Sequence, residues 1–181
     1  MNRITSAAFP GWNEASQTFT EYLPARTRIW VVGNQFDACS LIELCLTLAW
    51  EVHWVGNTNK MRKDVQQRVR ACYDWDQVHG LQPSDCLVLM THDFDRDVSF
   101  MNQYIADQSF QYIGILGPSK RFDRLKKQLQ HNLVSDISTP VGLDIGAEGP
   151  DEIAIAVVAE ILAHQNKRDG QRLKFRSTTI H

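Results

Sequence analysis

A glycine-rich, nearly uncharged loop runs directly into a helix with a well-marked start within residues 139–163. Gly142 and Gly146 allow a positive φ or a close approach of the backbone to a ligand. Pro150 suits the first helical position, and the two acidic residues that follow it complement the helix dipole. Asp144 lies between Leu143 and Ile145 in the loop and is either a ligand contact or a turn carboxylate. We therefore expect a ligand at this loop.

Three consecutive polar residues, Thr91, His92 and Asp93, follow an apolar run that is typical of a buried strand. A hydroxyl, an imidazole and a carboxylate at one strand end could bind a polar head group or move a proton. Asp93 or Asp95 could instead cap the next helix, because aspartate is a favoured N-cap residue. Both interpretations stay open, and the sequence assigns no catalytic residue.

A third polar group opens a helix after the motif YIGILG. Gly114 and Gly117 permit a tight turn there, and Ser119, Lys120 and Arg121 follow at the start of the helix. Free N–H groups at a helix N-terminus, together with such side chains, suit an anion. We predict that this turn and the glycine-rich loop bind a phosphate-bearing ligand together.

Gly33, Asn34 and Gln35 lie where a dinucleotide-binding fold carries GxGxxG. Only the first glycine is present, and Gln35 places a side chain where the backbone would approach a pyrophosphate. These three residues remain candidate ligand contacts, but ordinary NAD or FAD binding is disfavoured. Lys60 and Arg62, after the next strand, leave room for the 2′-phosphate of NADP, although a polar solvent-facing turn is the simpler interpretation.

The elements that must position these residues alternate between apolar strands and helices. The predicted order is strand 28–33, helix 36–49, strand 51–56, helix 60–70, strand 85–92, helix 95–107, strand 111–117 and helix 119–129, before the helix that starts at Pro150. Strands rich in Val, Ile and Leu that alternate with helices indicate a parallel sheet covered on both faces. We predict an α/β fold with a doubly wound, mostly parallel sheet, a Rossmann-like three-layer sandwich.

This domain is predicted to span residues 28–164. Residues 1–27 are an N-terminal extension with a short helix around residues 12–23, and residues 165–181 are a basic C-terminal tail. Charge runs of this kind are usually solvated, but either end could pack on a second copy of the chain in a homodimer.

Composition excludes several classes of function. The chain has 181 residues, of which 43% are hydrophobic and 22% charged, and its net charge is -2. These values predict one globular domain with no electrostatic case for nucleic acid. No apolar stretch approaches a membrane span or a secretory signal. The four cysteines form no CxxC pair, so we expect reduced thiols in the cytoplasm and no metal site.

The motifs together resemble the Rossmann domain of the XdhC/CoxI family. The resemblance rests on the turn after the first strand, on THD, on YIGILG followed by Ser-Lys-Arg, and on PVGLDIGAEGPDEIAIAVVAEILA, and it runs from about residue 29 to residue 163. Members of that family are maturation factors for molybdenum hydroxylases such as xanthine dehydrogenase and bind the molybdenum cofactor. The resemblance implies a cytoplasmic cofactor chaperone whose partner is a molybdenum hydroxylase apoenzyme.

Two departures from the family pattern matter. The usual member has a further N-terminal domain with a Gly-Gly-Cys type motif, to which nothing in residues 1–27 corresponds. Chemistry that depends on that cysteine is then absent or supplied by a separate chain. The family's turn after the first strand is GAGHVG-like, whereas this chain has GNQFDA, so its ligand contacts there have changed.

Three hypotheses follow. The leading one is an accessory protein that binds the molybdenum cofactor or a related phosphate-bearing ligand at the strand ends. Its residues fall into three groups: Gly117, Ser119, Lys120 and Arg121 on the phosphate, Thr91, His92 and Asp93 on the polar ring or metal-bearing end, and Gly142, Asp144 and Gly146 closing the pocket. The alternatives are an NADP-dependent oxidoreductase and a ligand-free scaffold that acts through protein contacts.

Overall fold

The computed structural model describes residues 11–13, 18–20, 26–130 and 132–175. Near the N-terminus, β1 (Gly11–Asn13) pairs antiparallel with β2 (Thr18–Thr20). The short helix expected around residues 12–23 is therefore wrong where that range is described. Threonine and aromatic residues favour a pleated strand, and β2 consists of Thr, Phe and Thr. The remaining residues of that predicted helix lie outside the described part of the chain.

A five-stranded parallel sheet forms the centre of the domain. Its strands are β3 (Arg28–Val32), β4 (Glu51–Val55), β5 (Ala71–Tyr73), β6 (Cys86–Leu89) and β7 (Tyr112–Ile115). They lie in the order β5-β4-β3-β6-β7, and every neighbouring pair is parallel. Beyond β7, Gly114 forms a parallel bridge with Ser138, which begins to extend the sheet.

Helices cover both faces of this sheet. They are α1 (Phe36–Thr47), α2 (Lys63–Gln66), α3 (Phe94–Phe100), α4 (Ser119–Lys126) and α5 (Pro150–Gln165), with a π-helical segment Met101–Ile105 continuing α3. Short 3₁₀ helices occupy Thr58–Lys60 and Leu173–Phe175. None of the described helices has the length and apolar character needed to cross a bilayer.

Alternating side chains of each strand enter two separate cores. On β3, Ile29 and Val31 pack with the apolar faces of α1 and α5, whereas Trp30 and Val32 pack with α3, the π-helical segment and α4. Successive residues of a strand point to opposite faces, so a strand buried on both sides must be apolar throughout. The two cores confirm the predicted doubly wound, three-layer α/β fold.

The region between β4 and β6 differs most from the predicted elements. The helix expected over 60–70 is reduced to the four residues of α2, and a strand that the sequence did not indicate, β5, follows it. The N–H of Arg70 already donates to the carbonyl of Val52 at 2.8 Å. The chain has thus rejoined the sheet at a point where the polar pattern still favoured a helix.

Candidate functional site

The strand order reverses between β3 and β6, and in a doubly wound sheet ligands bind beyond the carboxyl ends of the strands at such a switch point. Gly33 leaves β3 there with φ +155°, and a Cβ on it would stand 2.4 Å from the carbonyl oxygen of Met90. The indole N–H of Trp54 donates to the carbonyl of Gly33 at 2.7 Å. Gly33 is therefore required for close packing of the strand ends.

Asn34 joins the loops that follow β3 and β4. Its Oδ1 accepts the backbone N–H of Asn57 at 2.7 Å, and its Nδ2 donates to the carbonyl of Asn57 at 3.3 Å. A Cβ on Gly56 would stand 2.3 Å from Oδ1 of Asn34, so the glycine makes room for this side chain. The polar atoms of Asn34 are thus engaged by a neighbouring loop.

At the switch point His92 is hydrogen-bonded to Asp37, a residue that the sequence pattern alone does not single out. His92 Nε2 lies 2.5 Å from Asp37 Oδ2, and Asp37 Oδ1 accepts the N–H of Ala38 at 2.8 Å. The side chain of Asp37 is 10% exposed and that of His92 is 51% exposed. In the sequence, Asp37 looks like an ordinary acidic residue in the first turn of a helix, and its partner is 55 positions away.

Thr91 and Asp93 are engaged in the start of α3. Asp93 Oδ1 accepts the N–H of Arg96 at 3.1 Å, so Asp93 caps that helix, as one of the two interpretations held. The hydroxyl of Thr91 lies 2.5 Å from the carboxylate of Asp97, which is fully buried. Of the THD residues, His92 is the one that reaches the switch-point hollow described below.

At the start of α4, Arg121 faces a buried carboxylate, whereas the two residues before it are exposed. The guanidinium of Arg121 donates to the carboxylate of Asp97 and lies 5.9 Å from the centre of the Phe94 ring. Lys120 and Ser119 are exposed, and the Ser119 hydroxyl is 3.5 Å from the carbonyl oxygen of Thr139. Arg121 therefore neutralises a buried carboxylate, whereas Lys120 remains at the surface.

Gly114 lies within β7 and not in the turn that follows the strand. A Cβ on it would stand 2.4 Å from Val141 Cγ2. Gly114 is buried, and it allows the segment from Ser138 to Val141 to pass close beside the strand. The turn itself begins at Gly117, whose φ is +126°.

The glycine-rich loop and the turn after β7 enclose an apolar hollow of about 560 Å³. We call it the loop hollow. Four predicted site residues line it: Gly117, Gly142, Asp144 and Gly146. Its other walls are mostly apolar and include Leu116, Val141, Leu143, Ile145 and Ile153.

Glu160 of α5 holds the glycine-rich loop through a hydrogen bond. Its Oε2 accepts the N–H of Gly142 at 2.7 Å and the hydroxyl of Tyr112 at 2.5 Å. Burial and the hydrogen bond to the Glu160 carboxylate both raise the pKa of Tyr112. Gly142 has φ +105°, and a Cβ there would stand 3.1 Å from that of Ala156, so the loop is held tightly against α5.

A second hollow of about 320 Å³ adjoins the first at Ile153. We call it the switch-point hollow. Its lining residues come from the loops after β3 and β6 and from the start of α5: Gln35, Phe36, Asp37, His92, Glu148, Pro150 and Ile153. The separate loops predicted to converge are thus brought together at one edge of the sheet.

The charge of the two hollows differs from the expected anion site. Among the described residues that line either hollow there is no lysine or arginine, while Asp37, Glu148 and Asp144 are acidic. Glu152 closes the start of α5, because its carboxylate accepts the N–H groups of Glu148 and Gly149, which lower its pKa. In the described part of the chain, no three His, Cys, Asp or Glu side chains are grouped so as to hold a metal ion.

Comparison with known proteins relates this chain to one family. Residues 29–161 match the family described as the XdhC Rossmann domain. The chain is 44% identical over 166 residues to a probable xanthine dehydrogenase subunit of Bacillus subtilis (strain 168), covering 88% of this chain and 49% of that protein. It is 30% identical over 95 residues to the "Uncharacterized protein YqeB" of Escherichia coli (strain K12), covering 50% of this chain and 17% of that protein.

A solved structure shares the fold. The crystal structure described as a xanthine dehydrogenase from Bacillus halodurans superposes with a TM-score of 0.73 at 24% identity, over 86% of this chain and 50% of that one. The chain therefore spans about half of the length of the Bacillus subtilis relative and of the solved structure.

Proposed function

The chain belongs to the XdhC family, whose Rossmann domain it matches over residues 29–161, and from this membership we propose that it is an accessory protein of a xanthine dehydrogenase-type molybdenum hydroxylase. In this role it binds the molybdenum cofactor, or a related phosphate-bearing ligand, and hands it to the apoenzyme. The observation that carries the proposal is the pair of adjoining hollows, about 560 and 320 Å³ in volume, at the switch point of the sheet.

The residues present fit one part of such a cofactor better than another. Leu116, Val141 and Ile153 of the loop hollow offer apolar walls to a flat fused-ring system, whose end would reach past Ile153 into the adjoining switch-point hollow. A phosphate would be repelled by the acidic residues of the hollows, so its place is outside them, at the exposed Ser119 and Lys120 beside Pro118 on the rim. If bound, the cofactor would supply its own metal, and the apolar walls of the loop hollow would orient the ring.

The direct test is to analyse the purified chain from cells grown with molybdate. The proposal expects pterin fluorescence after oxidation together with molybdenum in a fixed ratio to protein. Cells grown without molybdate provide the control for the metal. A chain that carries neither the pterin nor molybdenum, even after incubation with released cofactor, rejects this function and leaves a scaffold role.

A matched pair of variants locates the binding. Ala147 lines the loop hollow, so Ala147→Trp fills it and is expected to reduce the bound pterin at least tenfold. Ala106 follows the π-helical segment on the opposite face of the sheet, so Ala106→Trp is the control for the added aromatic surface. Equal loss of pterin in both variants would mean that the loop hollow is not the binding site.

The partner proposed for this site is the apoenzyme. Ile145, on the rim of the loop hollow, is 54% exposed and Phe36, on the rim of the switch-point hollow, is 78% exposed. Large apolar side chains at the mouth of a pocket suit contact with a protein that receives its ligand. A tagged chain is expected to retain a molybdenum hydroxylase apoenzyme from cell extract, and Ile145→Asp is expected to weaken the retention. The same experiment tests for a second partner, a separate chain that carries the family's N-terminal domain.

A further inference from the structure

The pair formed by Asp37 and His92 has a fixed geometry. Asp37 sits in the first turn of α1 with one carboxylate oxygen on the N–H of Ala38, at 2.8 Å, and the other on His92 Nε2, at 2.5 Å. Both oxygens are engaged and the side chain is 10% exposed, so the carboxylate has little freedom to turn. The imidazole of His92 is held in turn by a rigid partner.

This geometry selects one tautomer of His92. An ionised carboxylate only accepts hydrogen bonds, so Nε2 of His92 carries the hydrogen in the contact with Asp37. In a neutral imidazole the other nitrogen, Nδ1, then bears a lone pair and acts as an acceptor. Half of the His92 side chain is exposed, at the switch-point hollow that it lines.

The backbone of His92 is also unusual. Its φ is +55°, in the left-handed region that is uncommon for residues other than glycine, although asparagine, aspartate and histidine adopt it more often than the rest. Strained conformations of this kind cluster at functional sites, where the surrounding structure maintains them. Here the strain coincides with the contact to Asp37 at the point where the strand order reverses.

The remaining lining residues define the occupant. Phe36 is 78% exposed, and Glu148 adds a carboxylate acceptor to the same hollow as His92. The described lining residues include no lysine or arginine, so a phosphate is disfavoured and a planar ring that donates N–H groups is favoured. Such a ring would stack on Phe36 while its N–H groups reach the acceptors.

We propose that Asp37 is a positioning residue that holds His92 as the hydrogen-bond acceptor for a planar nitrogen heterocycle in the switch-point hollow. The ring edge that matches two acceptors is a 2-amino-4-oxo-pyrimidine, which pterins and guanine share. If the source is a pterin, the inference rests on the proposed function. If the source is a guanine nucleotide, it stands without that function.

The first experiment measures the tautomer in the free protein. Long-range ¹H–¹⁵N spectra are expected to show His92 with its hydrogen on Nε2, and Asp37→Asn is expected to change that signature. The matched control is a second histidine–carboxylate pair, His53 and Glu51 of β4, whose Nε2 and Oε1 lie 3.0 Å apart and which do not line the switch-point hollow. Glu51→Gln should leave the His92 signals in place.

The second experiment measures binding of two probes, pterin and guanosine, by fluorescence and calorimetric titration. Loss of one hydrogen bond weakens binding by about tenfold. We expect a loss of this size with His92→Asn, which retains a residue compatible with the left-handed backbone, and with Asp37→Asn. Glu51→Gln should bind both probes as the unchanged chain does.

The outcomes separate this inference from the proposed function. A chain that carries molybdenum cofactor at the same level in Asp37→Asn and His92→Asn supports the function and overturns the inference. A chain without cofactor that binds guanosine in a manner dependent on both residues supports the inference and overturns the function. Failure to bind either probe, or binding that neither variant weakens, overturns the inference.

Discussion

Glu160 and Gly142 are joined by a hydrogen bond of 2.7 Å from the loop N–H to the helix carboxylate. The same oxygen accepts the hydroxyl of Tyr112, at 2.5 Å, so one side chain of α5 holds both the glycine-rich loop and the end strand β7. The loop hollow therefore depends on a residue that does not line it.

Replacing this anchor should loosen the loop and destabilise the fold. Glu160→Ala leaves the Tyr112 hydroxyl and the Gly142 N–H without their acceptor, which is expected to lower the free energy of unfolding by about 2–3 kcal/mol. Urea denaturation measures this change, and faster hydrogen exchange at Gly142 reports the loop itself. Glu160→Gln keeps one acceptor oxygen and should cost less. Equal stability of the two variants would contradict the anchoring role.

Gly33 should tolerate no side chain. A Cβ would stand 2.4 Å from the carbonyl oxygen of Met90, which is backbone and cannot rotate away. Gly33→Ala is expected to destabilise the protein by about 3 kcal/mol or more, measured by thermal or urea unfolding. Gly146→Ala is the matched control, because Gly146 has φ +74° but no atom near the added carbon, and it should cost only about 1 kcal/mol. A similar cost for both would mean that backbone conformation alone matters.

Arg121 should be important for stability through Asp97. The carboxylate of Asp97 is fully buried and is an ion-pair partner of the Arg121 guanidinium. Removing one partner of a buried pair leaves an uncompensated charge, so Arg121→Met is expected to cost about 3–5 kcal/mol. Arg124→Met provides the control, since Arg124 lies 5.0 Å from the centre of the same Phe94 ring and has no such ion pair among the described residues. Arg121→Met combined with Asp97→Asn should recover part of the loss.

Stability should fall at alkaline pH because buried acids must ionise on unfolding. Burial raises the pKa of the Cys86 thiol from 9.0 to about 12. The folded-state value lies above the unfolded one, so this contribution is complete below pH 9.0 and is lost as the pH rises towards 12. Each such group contributes a slope of about 1.4 kcal/mol per pH unit in that window.

Cys86→Ala is therefore expected to remove the contribution of one titrating thiol from the slope of unfolding free energy against pH. Urea denaturation between pH 9 and pH 12 measures this slope. Val88→Ala provides the control, because Val88 is a buried residue of the same strand that does not titrate. It should lower stability without changing the slope. A slope that is the same in all three proteins would contradict the assignment.

NADPH should not bind. A pyrophosphate at the start of α1 would meet the carboxylate of Asp37, and Arg62, a candidate for the 2′-phosphate, is paired with Glu43 and Asp64. Calorimetric titration is expected to give no saturable heat. Tight binding that Lys60→Glu abolishes would instead favour an NADP-dependent oxidoreductase.

The long apolar elements could be predicted from the sequence because their residues report local burial. The runs at 29–32 and Tyr112–Ile115 are buried on both faces and carry no charged side chain, so the parallel sheet followed directly. β5 could not be predicted because Ala71–Tyr73 is only half-buried and too short to show a period. The glycine-rich loop could be predicted, because closely spaced glycines indicate a loop without reference to the rest of the chain.

The candidate site was only partly predictable, because its polar contacts join distant parts of the chain. Asn34 and Arg121 have the residue types of ligand contacts, but they are engaged by Asn57 and Asp97. His92 stands out in the sequence as a strand-end imidazole, whereas its partner Asp37 looks like a helix-start acid. Spacing along the chain carries no information on which of two carboxylates a histidine will meet.

Local patterns determined the layered architecture, the family and the loops that converge at the switch point, because burial and backbone freedom are properties of neighbouring residues. The tertiary structure alone decided the chemistry of the hollows. It directed Arg121 inward to a buried carboxylate and brought Asp37 to His92, and it left apolar and acidic walls where an anion site was expected. Ion pairs and hydrogen bonds form between side chains that are close in the folded structure, and the order of residues along the chain does not specify which side chains these are.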